Sequence, residues 1–186
     1  MSATGLAWTP GVVVPTAAAD DGQLLKYDLP MSERPSPEEI AKWQKWFAVS
    51  CNNRAWTLVE QPTRTPSESH EMLHAAHAAA WHWTRVGTDL HEARAQMLLG
   101  FAHALSGDGP LALRYAMSSF NYFNEHEAPD WEQAFAHATL AIAAHAAGNT
   151  PLHAEHYAEA NRLGGAIADA EDREVFLRTF RNVPIA

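Results

Sequence analysis

The sequence predicts an all-α chain, and three observations carry that prediction. Helix-start signals recur along it: Ser36-Pro37-Glu38-Glu39, Thr65-Pro66-Ser67-Glu68, Asp89-Leu90-His91-Glu92, Asp130-Trp131-Glu132-Gln133 and Thr150-Pro151, with a weaker one at Asp169. Stop signals alternate with them at Gly87, Gly107-Asp108-Gly109, Pro129, Gly148-Asn149 and Gly164-Gly165. Nothing between the two sets reads as a strand pair.

The elements follow in order. Residues 1–35 hold Pro10, Pro15, Pro30 and Pro35 and no period beyond a short valine run, so an irregular N-terminal arm is expected there. A helical domain then occupies residues 36–186. Its first helix, near 37–60, opens on a capping box. Ser36 accepts from a free backbone N–H, Pro37 sits in the first turn, and Glu39 reaches back. A break is expected around Ser50–Asn53. The same grammar starts a helix at 66–86. Further helices are expected at 89–106, 109–127, 130–147, 150–163 and 169–181. The short connections between them force consecutive helices to run antiparallel, giving an array of helix pairs.

Composition bounds the function. A chain of 186 residues that is 47% hydrophobic and 19% charged is a globular protein with a real core. Its net charge of −9 leaves no phosphate-neutralising excess of Lys and Arg, which argues against a nucleic acid partner held through a general basic surface. Cys51 is the only cysteine, so neither an intramolecular disulfide nor a cysteine-based zinc site can form. The run Val12-Val13-Val14 is too short for a secretory signal, and no stretch is long enough to span a bilayer. The expectation is a cytoplasmic protein with no membrane partner.

The interior repeats. Leu99-Gly100, Gly107-Asp108, Ala112, Ala116 and Ser119 are matched 41 residues later by Leu140-Ala141, Gly148-Asn149, His153, Tyr157 and Ala160. This pattern resembles the tetratricopeptide (TPR) repeat over roughly residues 89–163, with Leu-Gly on a first helix, Gly-Asp in the turn and small or aromatic residues on the second. The period exceeds the common length of about 34. Gln96 and His137 stand where the family has tryptophan, and a bulky His153 stands at a small-residue position. The resemblance implies a TPR-like α-α superhelix with a concave groove used to bind peptides or proteins. It implies no chemistry.

Residues 70–83, HEMLHAAHAAAWHW, raise a second possibility. On a helix, His70, His74 and His77 fall within a stripe roughly 60° wide, with Glu71 and His82 beside it. Imidazoles at i,i+4 and i,i+3 can direct nitrogens to one point, and Glu71-x-x-His74 is a spacing used in di-metal bundles. A second Glu-x-x-His and an HExxH motif are both absent. Two readings therefore stand: a divalent transition metal (Zn, Fe, Cu or Ni) held by His70, Glu71, His74, His77 and His82, or simply the polar face of an amphipathic helix.

Arg94 shares a face with Leu98, Phe101 and Leu105, an unusual place for a cation. It either holds a carboxylate or phosphate of a ligand or pairs with a buried acid of the chain. In the TPR-like register the groove collects Arg94, Met97, Phe101, Phe135, Ile142 and His145. The leading expectation is a non-enzymatic protein binding a peptide, a protein or a small anionic ligand in that groove. The rival is a metal-dependent enzyme or metal-binding protein on the same scaffold. A helical array with an exposed apolar end commonly caps itself by dimerising, so a homodimer is expected.

Overall fold

The computed structural model describes residues 34–186; the expected arm over residues 1–35 lies almost wholly outside them. The described chain is all-α, with seven helices: α1 (Pro37–Val59), α2 (Pro66–Val86), α3 (Asp89–Leu105), α4 (Gly109–Glu125), α5 (Asp130–Ala146), α6 (Thr150–Ala166) and α7 (Ala170–Phe180). No strand occurs among the described residues.

The local chemistry explains where helices begin. Ser36 accepts from the Glu39 amide at 3.2 Å while the Glu39 carboxylate accepts from the Ser36 amide at 2.8 Å. Thr65 and Glu68 repeat the box at 3.2 and 2.8 Å. At α3 the cap is Thr88, one residue before the predicted start, and His91 takes the glutamate's part by accepting from the Thr88 amide at 3.2 Å. Asp108 and Asn149 cap α4 and α6 in the same way, each accepting from the amide three residues on, at 3.2 and 3.3 Å. Gly107 and Gly148, just before them, have φ of 82° and 72°. Only glycine adopts that left-handed region cheaply, and it lets the chain leave one helix and enter the next in three residues. The 41-residue repeat is therefore a repeat of backbone geometry.

Two expected interruptions do not occur. Helix α1 runs unbroken through Ser50–Asn53, because Ala48, Ala55, Leu58 and Val59 bury a continuous seam on either side of that point. Helix α6 continues through Gly164-Gly165 to Ala166. Gly164 is a point of close approach and not a stop: a Cβ there would lie 1.9 Å from the ring of Phe176 in α7.

Neighbours in sequence pack antiparallel. Across α1 and α2, Gln44 meets His82 near one end and Arg54 meets Glu71 further along. The odd-numbered helices also pack on one another, α1 on α3, α3 on α5 and α5 on α7, while α2, α4 and α6 each lie against the odd-numbered helices before and after them. This makes two layers, with α3 and α5 central. Met97–Ala104 of α3 is wholly buried, as is most of α5 from Ala134 to Ala144. The largest buried side chains, among them Phe101, Phe123, Phe176, Leu58, Met72, Leu98 and Leu140, belong to one hydrophobic core.

Candidate functional site

The odd-numbered layer leaves a groove with a cavity of about 390 Å3, within the range of ligand pockets. Each odd helix contributes: Asn52, Trp56 and Glu60 from α1, Arg94 and Met97 from α3, Trp131 and Phe135 from α5, and Asp172, Val175 and Thr179 from α7. The walls are aromatic and interlocked. The edge of Trp56 meets Phe101 at 5.7 Å and Phe135 at 5.9 Å between ring centroids, and Trp131 meets Phe135 at 6.1 Å and 88°. Phe135 is braced from behind by Phe176 at 5.3 Å. Such edge-to-face packing holds each ring at a fixed angle to the groove.

Arg94 is the polar centre. Its Nε donates to Oε1 of Glu132 at 2.5 Å, and its guanidinium carbon lies 5.5 Å over the Trp131 ring. Glu132 is 1% exposed, whereas the Arg94 side chain is 41% exposed. The acid on the chain thus resolves the alternative left by the sequence, since Arg94 pairs with a buried carboxylate of the protein. Glu132 was itself visible as part of a start signal, but that role concealed its inward direction: the first turn of α5 is where an acid is expected for the helix dipole alone. Among the described residues only Nε of Arg94 donates within the protein, so the two terminal nitrogens remain as donors at the groove wall.

Other groups on the rim are differently committed. Glu60 accepts from Arg178 at 2.8 Å, tying α1 to α7. Asp172 has no side-chain hydrogen bond among the described residues, although its amide is capped by Asp169. Of the predicted groove residues, Arg94, Met97 and Phe135 line the cavity. Phe101 is fully buried behind Trp56, and Ile142 is buried two turns beyond the groove in α5. His145 is exposed near the end of α5, where its ring meets His153 at 5.0 Å. Trp56, Trp131 and Asp172 escaped the sequence reading. Trp131 sat inside a capping signal, and the other two lie in helices outside the repeated segment.

The histidine-rich stripe does not converge. Glu71 is engaged by Arg54 through two hydrogen bonds of 2.7 and 2.8 Å, and His70 and His74 are exposed. His82 hydrogen-bonds Gln44 and stacks on Phe47 at 5.3 Å. His77 turns to His103 of α3, with 3.0 Å between their Nε2 atoms. Among the described residues no three or more His, Cys, Asp or Glu side chains come together as a metal site. The histidines instead join helices. His137 of α5 and His156 of α6 are 2.9 Å apart through Nδ1, with the edge of Phe120 against both rings. Burial lowers the pKa of all four paired histidines, and the nearby His74, His77 and His156 lower those of His77, His103 and His137 further. An N–H···N bond needs one neutral ring as acceptor, so each pair requires at least one uncharged imidazole.

No protein-family model, curated protein or solved structure matches this chain. Among the described residues no helix is long and apolar enough to cross a membrane.

Proposed function

We propose that this chain is a TPR-like binding module whose concave groove takes a peptide by receiving a large apolar or aromatic side chain between Trp56, Trp131 and Phe135. The observation that carries the reading is the composition of the groove, in which aromatic walls carry hydrogen-bonding groups of both senses on their rim. The terminal nitrogens of Arg94 offer donors to a carbonyl, Asp172 offers an acceptor, and Asn52 offers both. A peptide main chain supplies the matching carbonyl and N–H, and burying one large apolar side chain contributes roughly 1.5–3 kcal/mol. The repeated turns at Gly107-Asp108 and Gly148-Asn149, and the inner layer of odd-numbered helices, support the TPR-like assignment.

A small anion is served less well. Glu132 already balances the charge of Arg94, and Glu60 and Asp172 stand on the same rim. Selection from a random peptide display library tests the reading. Val175 lines the groove from α7 and is 41% exposed, so Val175→Trp fills the groove without disturbing the core. Peptides selected on the wild type should share an aromatic or large apolar residue and bind Val175→Trp at least about tenfold more weakly. Equal binding to both proteins would place the peptide site elsewhere.

A further inference from the structure

Among the described residues three charged side chains line the groove: Glu60, Arg94 and Asp172. Two of them are balanced within the chain. Arg94 pairs with the buried Glu132 at 2.5 Å, and Glu60 accepts from Arg178 at 2.8 Å. Asp172 makes neither an ion pair nor a side-chain hydrogen bond among the described residues. The cation beside it in sequence, Arg173, donates instead to the carbonyl of Ile167 at 3.1 Å.

Position decides what the Asp172 carboxylate meets. Asp172, Val175 and Thr179 are spaced three and four residues apart, so they share the face that α7 turns to the cavity. In the free protein Asp172 is exposed and fully served by water. A peptide whose apolar anchor fills the space between Trp56, Trp131 and Phe135 covers the same wall and displaces part of that water. A carboxylate that loses water without gaining a cation opposes binding. One that gains a cation does not, and the net charge of −9 adds a longer-range attraction for a basic segment.

Resting on the peptide-binding reading of the groove, we propose that the peptide it takes is basic. A Lys or Arg within three residues of the apolar anchor pairs with Asp172, and an Asp or Glu at the same place is rejected. An extended chain advances about 3.3–3.6 Å per residue, so a cation that close to the anchor reaches the rim. The aromatic walls choose the anchor, and Asp172 chooses the sign of the charge beside it.

Peptides selected by display on the full chain test the pairing. They should carry Lys or Arg within three residues of the anchor, and added salt should weaken them. In titration calorimetry Asp172→Lys should weaken them at least about tenfold, because like charges then face one another. A peptide with that Lys or Arg changed to Glu should bind the wild type poorly and regain binding on Asp172→Lys. The regain requires a folded variant, which separates a lost contact from a lost fold. Peptides weakened by Val175→Trp yet indifferent to Asp172→Lys leave the groove in place and overturn the charge pairing alone. Peptides that bind all three proteins equally overturn both. A loss on Asp172→Lys that no Glu-bearing peptide reverses also overturns the pairing. Self-association of the wild type that Val175→Trp abolishes gives the groove to a second copy. Peptide binding that begins only on removal of residues 1–33 gives it to the chain's own N-terminal segment. Either result overturns the proposal.

Discussion

Arg94 and Glu132 show how far a single residue can be read. The sequence marks Arg94 as anomalous because a guanidinium on the face of Leu98, Phe101 and Leu105 must find an anion. Which anion depends on a residue 38 positions away, and no local spacing encodes that distance. The structure supplies Glu132 at 2.5 Å. Removing the cation leaves a sealed carboxylate, so Arg94→Met should cost about 2–4 kcal/mol, tempered by the solvent that reaches the outer part of the side chain. Lysine should recover part of the loss, since charge remains but the planar fork does not. Thermal melts of the two variants measure this, and an unchanged Met variant would remove Glu132 as the partner. Gly164 makes a sharper case. With the Phe176 ring 1.9 Å from where a Cβ would sit, Gly164→Ala should destabilise by about 1–3 kcal/mol despite the better helix propensity of alanine. A more stable alanine variant in denaturant unfolding would mean that α7 packs differently.

At the scale of elements, helix starts were legible and helix contacts were not. Capping chemistry is local: Ser36-Pro37-x-Glu39 and Thr65-Pro66-x-Glu68 satisfy their own amides within four residues, so sequence and structure agree there almost to the residue. The end of α6 was misread because a glycine pair carries the same letters whether it ends a helix or admits a neighbour. The partners of the histidines were not legible for a related reason. Their crowding in α2 left a metal site and a polar helix face both open, and neither spacing encodes that His77 and His156 find partners on α3 and α5. These pairs make the packing of α2 on α3 and of α5 on α6 dependent on pH. Folding lowers the pKa of all four rings below the ordinary 6.5, so the unfolded chain binds more protons as acid is added. Their contribution is complete above about pH 6.5 and is lost as pH falls through the lowered values. Melting temperature should therefore drop between pH 7 and 5. The drop should shrink in a His137→Gln/His156→Gln protein. An identical pH profile in that variant would remove the α5–α6 pair as a source.

The seven described helices form a short array in which each touches few others. Among the described residues, α3 and α5 each pack on two other odd-numbered helices, whereas α1 and α7 each pack on one. Stability in such arrays is approximately a sum over neighbouring contacts, so opening should begin at the ends. Amide hydrogen exchange should be slowest in α3 and α5 and fastest in residues 37–46, where nearly every side chain is exposed. Uniform protection along the chain would indicate a single cooperative block. The all-α class and the helix order were visible from sequence because they rest on periodic, local signals. The groove was visible only in part, since four helices build it and the repeat that pointed to it spans only two of those four.

Glu132 carries a meaning for fidelity that strength alone does not capture. Much of the buried surface of α5 is alanine, at positions 134, 136, 138, 141, 143 and 144, and methyl groups of one size tolerate sliding along a neighbouring rod. A slip of one turn between α3 and α5 would cost such a surface little, yet it would strand a carboxylate without its cation. The ion pair therefore acts as an index mark that permits one alignment of the central helices. Replacing Arg94 and Glu132 together by methionine should recover most of the melting temperature lost by the single change. The same protein should give broadened amide resonances in α3 and α5, the signature of helices that are stable but no longer held to a single register.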